Sequence, residues 1–238
     1  MKKMLITGTT QGIGKEMYER FKDCYDVTTI NRRPFPGNNI ICDLSDVAQV
    51  RQLCAALEKE PFDILINNAG GVEPVLFQDM QADFLVKCTN LNYHAPVLLM
   101  QALMDGMRRR NYGRVVNISS IASKSPRTLI PHYGAAKAAL EAFSKSMAVY
   151  YSNCQVTVNC ICPGGVDTDV SLLNRERMGQ LQGKQPEYYN QAMSGGNGLG
   201  RMVSKQEVTD LAEFLISDHA AAISGQTINI CGTKEVHG

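Results

Sequence analysis

Tyr133 and Lys137, four positions apart in a chain of 238 residues, are the first pair whose types and spacing can do chemistry. They fall in a stretch patterned as a helix, where residues i and i+4 share a face. A tyrosine phenol, ordinary pKa about 10, can deliver a proton to an alkoxide, the strong base left when a carbonyl accepts hydride. A lysine ammonium beside it favours the phenolate and draws that pKa toward neutrality. Ser120 lies thirteen positions before Tyr133, at the end of a short apolar run. Its hydroxyl can hydrogen-bond an oxygen on which charge develops. The three together suit hydride reduction of a carbonyl, or the reverse oxidation. The ordinary alternatives are a surface Tyr–Lys pair and a helix-capping serine, and the pair by itself recurs at Tyr18 and Lys22, with Leu5 at the serine's spacing.

Such side chains need a rigid scaffold, and the pattern supplies one. Short β-rich apolar runs at 3–7, 26–31, 39–42, 62–67, 114–119, 155–161 and 227–230 alternate with helical stretches at 13–22, 47–59, 84–111, 133–152 and 205–217. Unbroken apolar strands such as Ile64-Leu65-Ile66 suit a sheet covered on both faces. Strand–helix alternation predicts an α/β fold with a doubly wound parallel sheet of about seven strands and right-handed crossovers. No repeat or linker divides the chain, so residues 1–238 read as one domain. The exception to the alternation is 169–204, expected as an irregular substrate flap; its Gly195-Gly196-Asn197-Gly198-Leu199-Gly200 follows no strand.

Thr7-Gly8-Thr9-Thr10-Gln11-Gly12-Ile13-Gly14 lies between the first strand and the first helix. Glycines there permit a tight turn and close approach to a pyrophosphate, while the helix N-terminus offers free N–H groups. Thr-Gly-x-x-x-Gly-Ile-Gly resembles the short-chain dehydrogenase/reductase family, whose single Rossmann domain binds NAD or NADP. Asn67-Asn68-Ala69-Gly70 resembles that family's second motif, and Pro163-Gly164 with Val166 and Thr168 its third. The resemblance covers nearly the whole chain, and of the two Tyr–Lys pairs only Tyr133 has the family's serine, Ser120. It implies catalysis by Asn92, Ser120, Tyr133 and Lys137. Lys137 would also hold the nicotinamide ribose, and Asn92 a water that resupplies protons. Asn90 is the rival to Asn92. The implied cofactor set is Gly8, Thr10, Gln11, Gly12, Ile13, Gly14, Asn31, Arg32, Arg33, Asp43, Leu44, Asn68, Ala69, Gly70, Tyr133, Lys137, Pro163, Gly164, Val166 and Thr168.

The second strand ends in Asn31-Arg32-Arg33. NAD-selective folds usually place an acid there; a neutral Asn followed by arginines favours the 2′-phosphate of NADP(H) over NAD(H). Gln11 departs from the basic residue that NADP-dependent relatives often carry. Within the family the chain looks most like 3-oxoacyl carrier-protein reductases and related ketoreductases. The expected substrate is therefore a small-molecule or carrier-bound ketone, with Arg109 and Arg110 available to an acidic carrier and Cys154 in place of a second basic docking residue. The alternatives are an NAD-dependent alcohol dehydrogenase, a dehydratase or epimerase on the same scaffold, and a catalytically silent cofactor sensor or scaffold. The family also implies a homodimer or homotetramer packed through helices near 93–111 and 133–152, using Leu98, Leu99, Ala102, Leu103, Phe143, Met147 and Tyr150.

Composition closes off other classes. With 24 basic and 23 acidic residues the net charge is +1, giving no footprint for nucleic acid or an anionic membrane surface. No apolar run spans a bilayer, and the start does not resemble a signal peptide, so the expected compartment is the cytoplasm. Eight cysteines without a Cys-x-x-Cys pair, and four histidines without ligand spacing, read as free thiols and no metal site.

Overall fold

In the computed structural model, which describes residues 1–194 and 198–236, seven strands form one sheet in the order β3-β2-β1-β4-β5-β6-β7. The strands are β1 (Lys3–Thr7), β2 (Asp26–Asn31), β3 (Asn38–Ile41), β4 (Ile64–Asn67), β5 (Gly113–Ile118), β6 (Val156–Pro163) and β7 (Thr227–Ile230). Every neighbouring pair is parallel. The helices are α1 (Gly12–Phe21), α2 (Val47–Leu57), α3 (Ala82–Thr89), α4 (Ala95–Arg109), α5 (Pro131–Tyr150), α6 (Asp169–Gln182), α7 (Pro186–Ser194) and α8 (Lys205–Ile216). Strand order reverses between β1 and β4, so a crevice opens at their carboxyl ends, where ligands bind in such sheets.

The two faces of the sheet bury separate cores. One packs Leu5, Leu65, Val115 and Val158 under α2, α4 and α5, and the other packs Met4, Ile6, Ile64, Ile66 and Ile161 under α1 and α8. Burial on both faces explains why β4 and β6 are wholly buried and why β4 opens on Ile64-Leu65-Ile66. All eight cysteines are free thiols. Among the described residues no helix is long and apolar enough to cross a membrane.

Three expectations change. The 84–111 stretch is not one helix: α3 and α4 are joined by a π-helical turn, Asn90–His94. Pro96 lies at the start of α4, lacks an N–H and so cannot bond back to the Asn92 carbonyl four residues earlier. The 169–204 segment is mostly helical rather than irregular. Thr168 caps α6 by accepting from the Ser171 N–H, and Gly183 ends it in the left-handed conformation at φ +63°; residues 195–197 of the glycine-rich stretch lie outside the described residues. Finally, Leu99, Ala102 and Leu103 belong to the core rather than to an outer face, because this side of α4 packs on α2 and the sheet. The exposed large apolar residues of α5 are Val149 and Tyr150.

Candidate active site

The turn after β1 is shaped by its glycines. Gly8 and Gly12 take φ of +72° and +60°, and a Cβ on Gly14 would overlap the Gly8 carbonyl and Asn68 Nδ2. The second motif braces this turn from beneath. Asn68 Nδ2 donates to the carbonyls of Thr7 (3.0 Å) and Gly8 (2.8 Å), and the Thr7 hydroxyl accepts from the N–H groups of Asn68 and Ala69. On the other side the Thr9 N–H donates to Asn31 Oδ1 at 2.7 Å. Asn31 Nδ2 donates in turn to Thr9 Oγ1 (2.9 Å), Asn39 Oδ1 (2.8 Å) and Thr29 Oγ1 (3.3 Å). The first turn of α1 has neither a side-chain cap nor an acidic residue, so its free N–H groups face the cradle uncompensated.

These contacts sort the expected cofactor residues. Thr10 and Gln11 are exposed at the tip of the turn and Ile13 is half-buried. Asn31 is buried at 4% exposure and spends its amide on the loop, so it acts as a brace, while Arg32 and Arg33 stand exposed beyond it. Asp43 accepts from the Ser45 N–H and hydroxyl, and Leu44 turns its side chain into the core. The third motif returns to the first: a Cβ on Gly12 would lie 3.6 Å from Thr168 Cγ2. Gly164 N–H bonds to the Ile230 carbonyl at 2.9 Å, and Val166 bridges to Val203.

At the carboxyl end of β5, Ser120 extends the strand direction and its hydroxyl accepts from the Ala122 N–H at 3.2 Å. Its hydroxyl acts on the Tyr133 phenol, favouring the phenolate. Tyr133 and Lys137 stand one turn apart on α5, with Lys137 Nζ 5.7 Å from the tyrosine ring centroid. Gly134 lets the helix come this close to the serine turn, since a Cβ there would lie 2.5 Å from the Ala122 carbonyl. Lys137 is 2% exposed and donates to the Ile118 carbonyl at 2.8 Å. Burial lowers its pKa from 10.5 to about 8. Burial pushes the Tyr133 phenol up to about 12, with the Ser120 hydroxyl working in the opposite sense. The expected drop toward neutrality is thus reversed: the ammonium is turned to Ile118, and desolvation of the phenolate wins.

Asn92 lies within the π-helical turn and is fully buried. Its Nδ2 donates to the carbonyls of Gly71 and Cys88, both at 2.9 Å, and its Oδ1 accepts from the Gly71 N–H at 3.3 Å. The side chain therefore fixes the backbone rather than presenting itself to a water. Gly70 ties this corner to the lysine, because a Cβ on it would sit 3.0 Å from Asn92 Oδ1 and 3.3 Å from Lys137 Nζ. The rival Asn90 bonds instead to the Ser45 carbonyl and His94, away from the lysine.

Glu141, one turn beyond Lys137 on α5, joins the site although it lies outside the expected residues. Its Oε1 accepts from Ser119 Oγ and Ser123 Oγ, both at 2.5 Å, and from Cys162 Sγ at 3.2 Å. It clamps the chain on both sides of Ser120, and its charge favours the ammonium of Lys137. The available signal was an acidic residue within the apolar run Ala138-Ala139-Leu140-Glu141-Ala142-Phe143.

Comparison with known proteins agrees with this geometry. The model of a family described as short chain dehydrogenase matches residues 2–178. A putative ketoacyl reductase of Streptomyces coelicolor is 30% identical over 249 residues, covering 96% of this chain and 95% of the relative. A 3-oxoacyl-[acyl-carrier-protein] reductase of Pseudomonas aeruginosa is 28% identical over 246 residues, with 96% and 95% covered. Among solved structures, a variant of actinorhodin polyketide ketoreductase with NADPH superposes at a TM-score of 0.89 with 26% identity, over 98% of this chain and 97% of that one.

Proposed function

We propose that this chain, which belongs to the short chain dehydrogenase family, reduces a ketone to a secondary alcohol with NADPH. The observation that carries the reading is the placement of a protonated Tyr133 one helical turn from a buried Lys137, at the carboxyl end of β5 where Ser120 stands. NADPH fits the residues present: the glycine cradle with its uncapped helix N-terminus suits a pyrophosphate, and Arg32 and Arg33 can pair with a 2′-phosphate where no acid ends β2. When bound, it supplies the hydride.

The chain's own residues do the rest. Ser120 Oγ hydrogen-bonds the ketone oxygen, orienting it and stabilising the charge that develops there. Tyr133 Oη gives that oxygen its proton. A pKa of about 12 keeps the phenol protonated across the neutral range, and an alkoxide is a far stronger base than the phenolate left behind, so the transfer runs downhill. Lys137 stabilises the phenolate, and the Asn92 carbonyl holds the water through which the proton is replaced. The substrate is a 3-oxoacyl or polyketide-type ketone, carrier-bound or free, as the names of the relatives suggest. A cytoplasmic homodimer or homotetramer fits the free thiols and the exposed Val149 and Tyr150 on the long helix α5.

The test follows NADPH absorbance over a ketone panel. Tyr133→Phe is expected to lose at least 10²-fold in kcat/KM while binding NADPH as before. Retained turnover in this variant, or no turnover by wild type on any ketone, would sink the reading and favour a cofactor sensor. Removing the guanidinium groups in Arg32→Ala/Arg33→Ala should weaken NADPH at least tenfold and leave NADH unchanged; equal losses would remove the arginines from the 2′-phosphate.

A further inference from the structure

Ser171, Arg175 and Met178 recur at i, i+4 and i+7 and so share one face of α6. At one end of this face, the Ser171 N–H bonds to Thr168 Oγ1, and Thr168 approaches the phosphate turn at Gly12. At the other end Met178 packs with Leu129 and Ile130 in the apolar cluster that Tyr133 joins. The strip thus runs from a residue beside the phosphate turn to the apolar cluster that Tyr133 joins, and Arg175 lies between its ends.

Arg175 is only 3% exposed. Its Nη1 donates to two neutral acceptors, Ser171 Oγ at 3.0 Å and Met202 Sδ at 3.1 Å. Its Nε is buried with no hydrogen-bond partner, and among the described residues no carboxylate forms an ion pair with it. A guanidinium stays charged at any working pH. Burying one without a counter-charge is strongly unfavourable, and a thioether is a weak acceptor. The usual remedies, a paired acid or a snorkelling side chain, are both absent. A cation kept dry and under-bonded beside a reaction site fits a group whose counter-charge arrives from outside.

We infer that Arg175 recognises an oxyanion carried by the ketone, a carboxylate such as that of a keto acid. The guanidinium fork matches a carboxylate with two parallel N–H···O bonds, and Nε is one of the two donors such a pairing uses. This rests on the ketone-reduction reading and narrows it: neutral ketones would enter the same site without this anchor.

The experiment compares 2-, 3- and 4-oxopentanoate with their methyl esters, in wild type, Arg175→Gln and Arg175→Lys, with NADPH. Wild type should favour at least one acid over its ester. Arg175→Gln should lower kcat/KM for that acid 10- to 100-fold and leave the ester within threefold, with Arg175→Lys between them. Calorimetric titration of 4-oxopentanoate into NADPH-loaded protein reads the same anchor without turnover: binding to wild type is expected, with at least tenfold weakening in Arg175→Gln. An acid-to-ester ratio unchanged by Arg175→Gln overturns the inference. So does a loss of NADPH affinity with that ratio kept, which would assign the arginine to the cofactor's phosphates. If wild type reduces no ketone, the ketone-reduction reading fails separately, and the titration alone decides whether Arg175 takes a carboxylate. Thermal melts of both variants check that they fold.

Discussion

Lys137 should cost the fold stability at neutral pH and less as the solution becomes alkaline. Its ammonium is 2% exposed, and burial holds its pKa at about 8 against an ordinary 10.5. The folded state therefore releases this proton at lower pH than the unfolded state does. Between the two values the unfolded chain binds more protons, so stability rises with pH across that window. The gap corresponds to about 3 kcal/mol at roughly 1.4 kcal/mol per pH unit. A single site with those two pKa values yields about 2 kcal/mol of it between about pH 7 and 9.5. Lys137→Met keeps length and apolar stem without the charge. Losing the bond to Ile118 adds an offset that does not depend on pH, and every other titrating group is common to both proteins. The stability of Lys137→Met relative to wild type should thus be greatest near pH 7 and shrink by about 2 kcal/mol by about pH 9.5. For a chain of this size that is about 4–8 °C in relative Tm. Urea unfolding of both proteins across the range, at one protein concentration, measures it. A difference that stays flat, or grows with pH, would refute a buried ammonium with a depressed pKa.

Two further substitutions separate the cradle from the clamp. In Gly14→Ala the new Cβ meets the Gly8 carbonyl and Asn68 Nδ2; the expected cost is about 1–3 kcal/mol in denaturant unfolding, with at least tenfold weaker NADPH binding by fluorescence titration. Unchanged affinity would mean the turn is not the pyrophosphate site. Glu141→Gln leaves a neutral acceptor for Ser119, Ser123 and Cys162, so stability should fall by about 1–2 kcal/mol. Because the Glu141 charge raises the pKa of Lys137, removing it lowers that value further. The alkaline limb of the kcat profile should move to lower pH while KM changes little. A fall in KM-linked terms alone, with an unmoved profile, would leave Glu141 a purely structural residue.

What the sequence discloses depends on how local the cause is. β4 is legible because burial on both faces favours the unbroken apolar run Ile64-Leu65-Ile66, and Tyr133 and Lys137 because one helical turn relates them. The π-helical turn is hidden because residues 90–94 keep the periodicity of a helix; Pro96, four residues after Asn92, was the available clue. Helix α6 escapes a pattern reading because its buried face carries Ser171 and Arg175, while Leu172 and Leu173 are exposed. Glu141 is opaque for another reason: its partners lie 18 to 22 positions away, near the ends of β5 and β6 and in the turn after β5, which only the folded sheet brings together.

Asn31 shows how the two kinds of information combine. Its type alone indicates a strand end without the acid that repels a 2′-phosphate. The fold adds why the side chain is an amide and not merely uncharged. Oδ1 must accept from the Thr9 N–H, while Nδ2 must donate to Thr9 Oγ1 and Asn39 Oδ1. A carboxylate could make the first bond but would face the oxygen of Asn39 with no proton between them, at a buried position where an unmet polar contact is costly. A hydrophobic residue would leave the Thr9 N–H without its acceptor. One side chain thus serves both demands: the same amide that shapes the phosphate turn keeps negative charge away from the end of β2, so cofactor preference and loop geometry cannot be altered independently there.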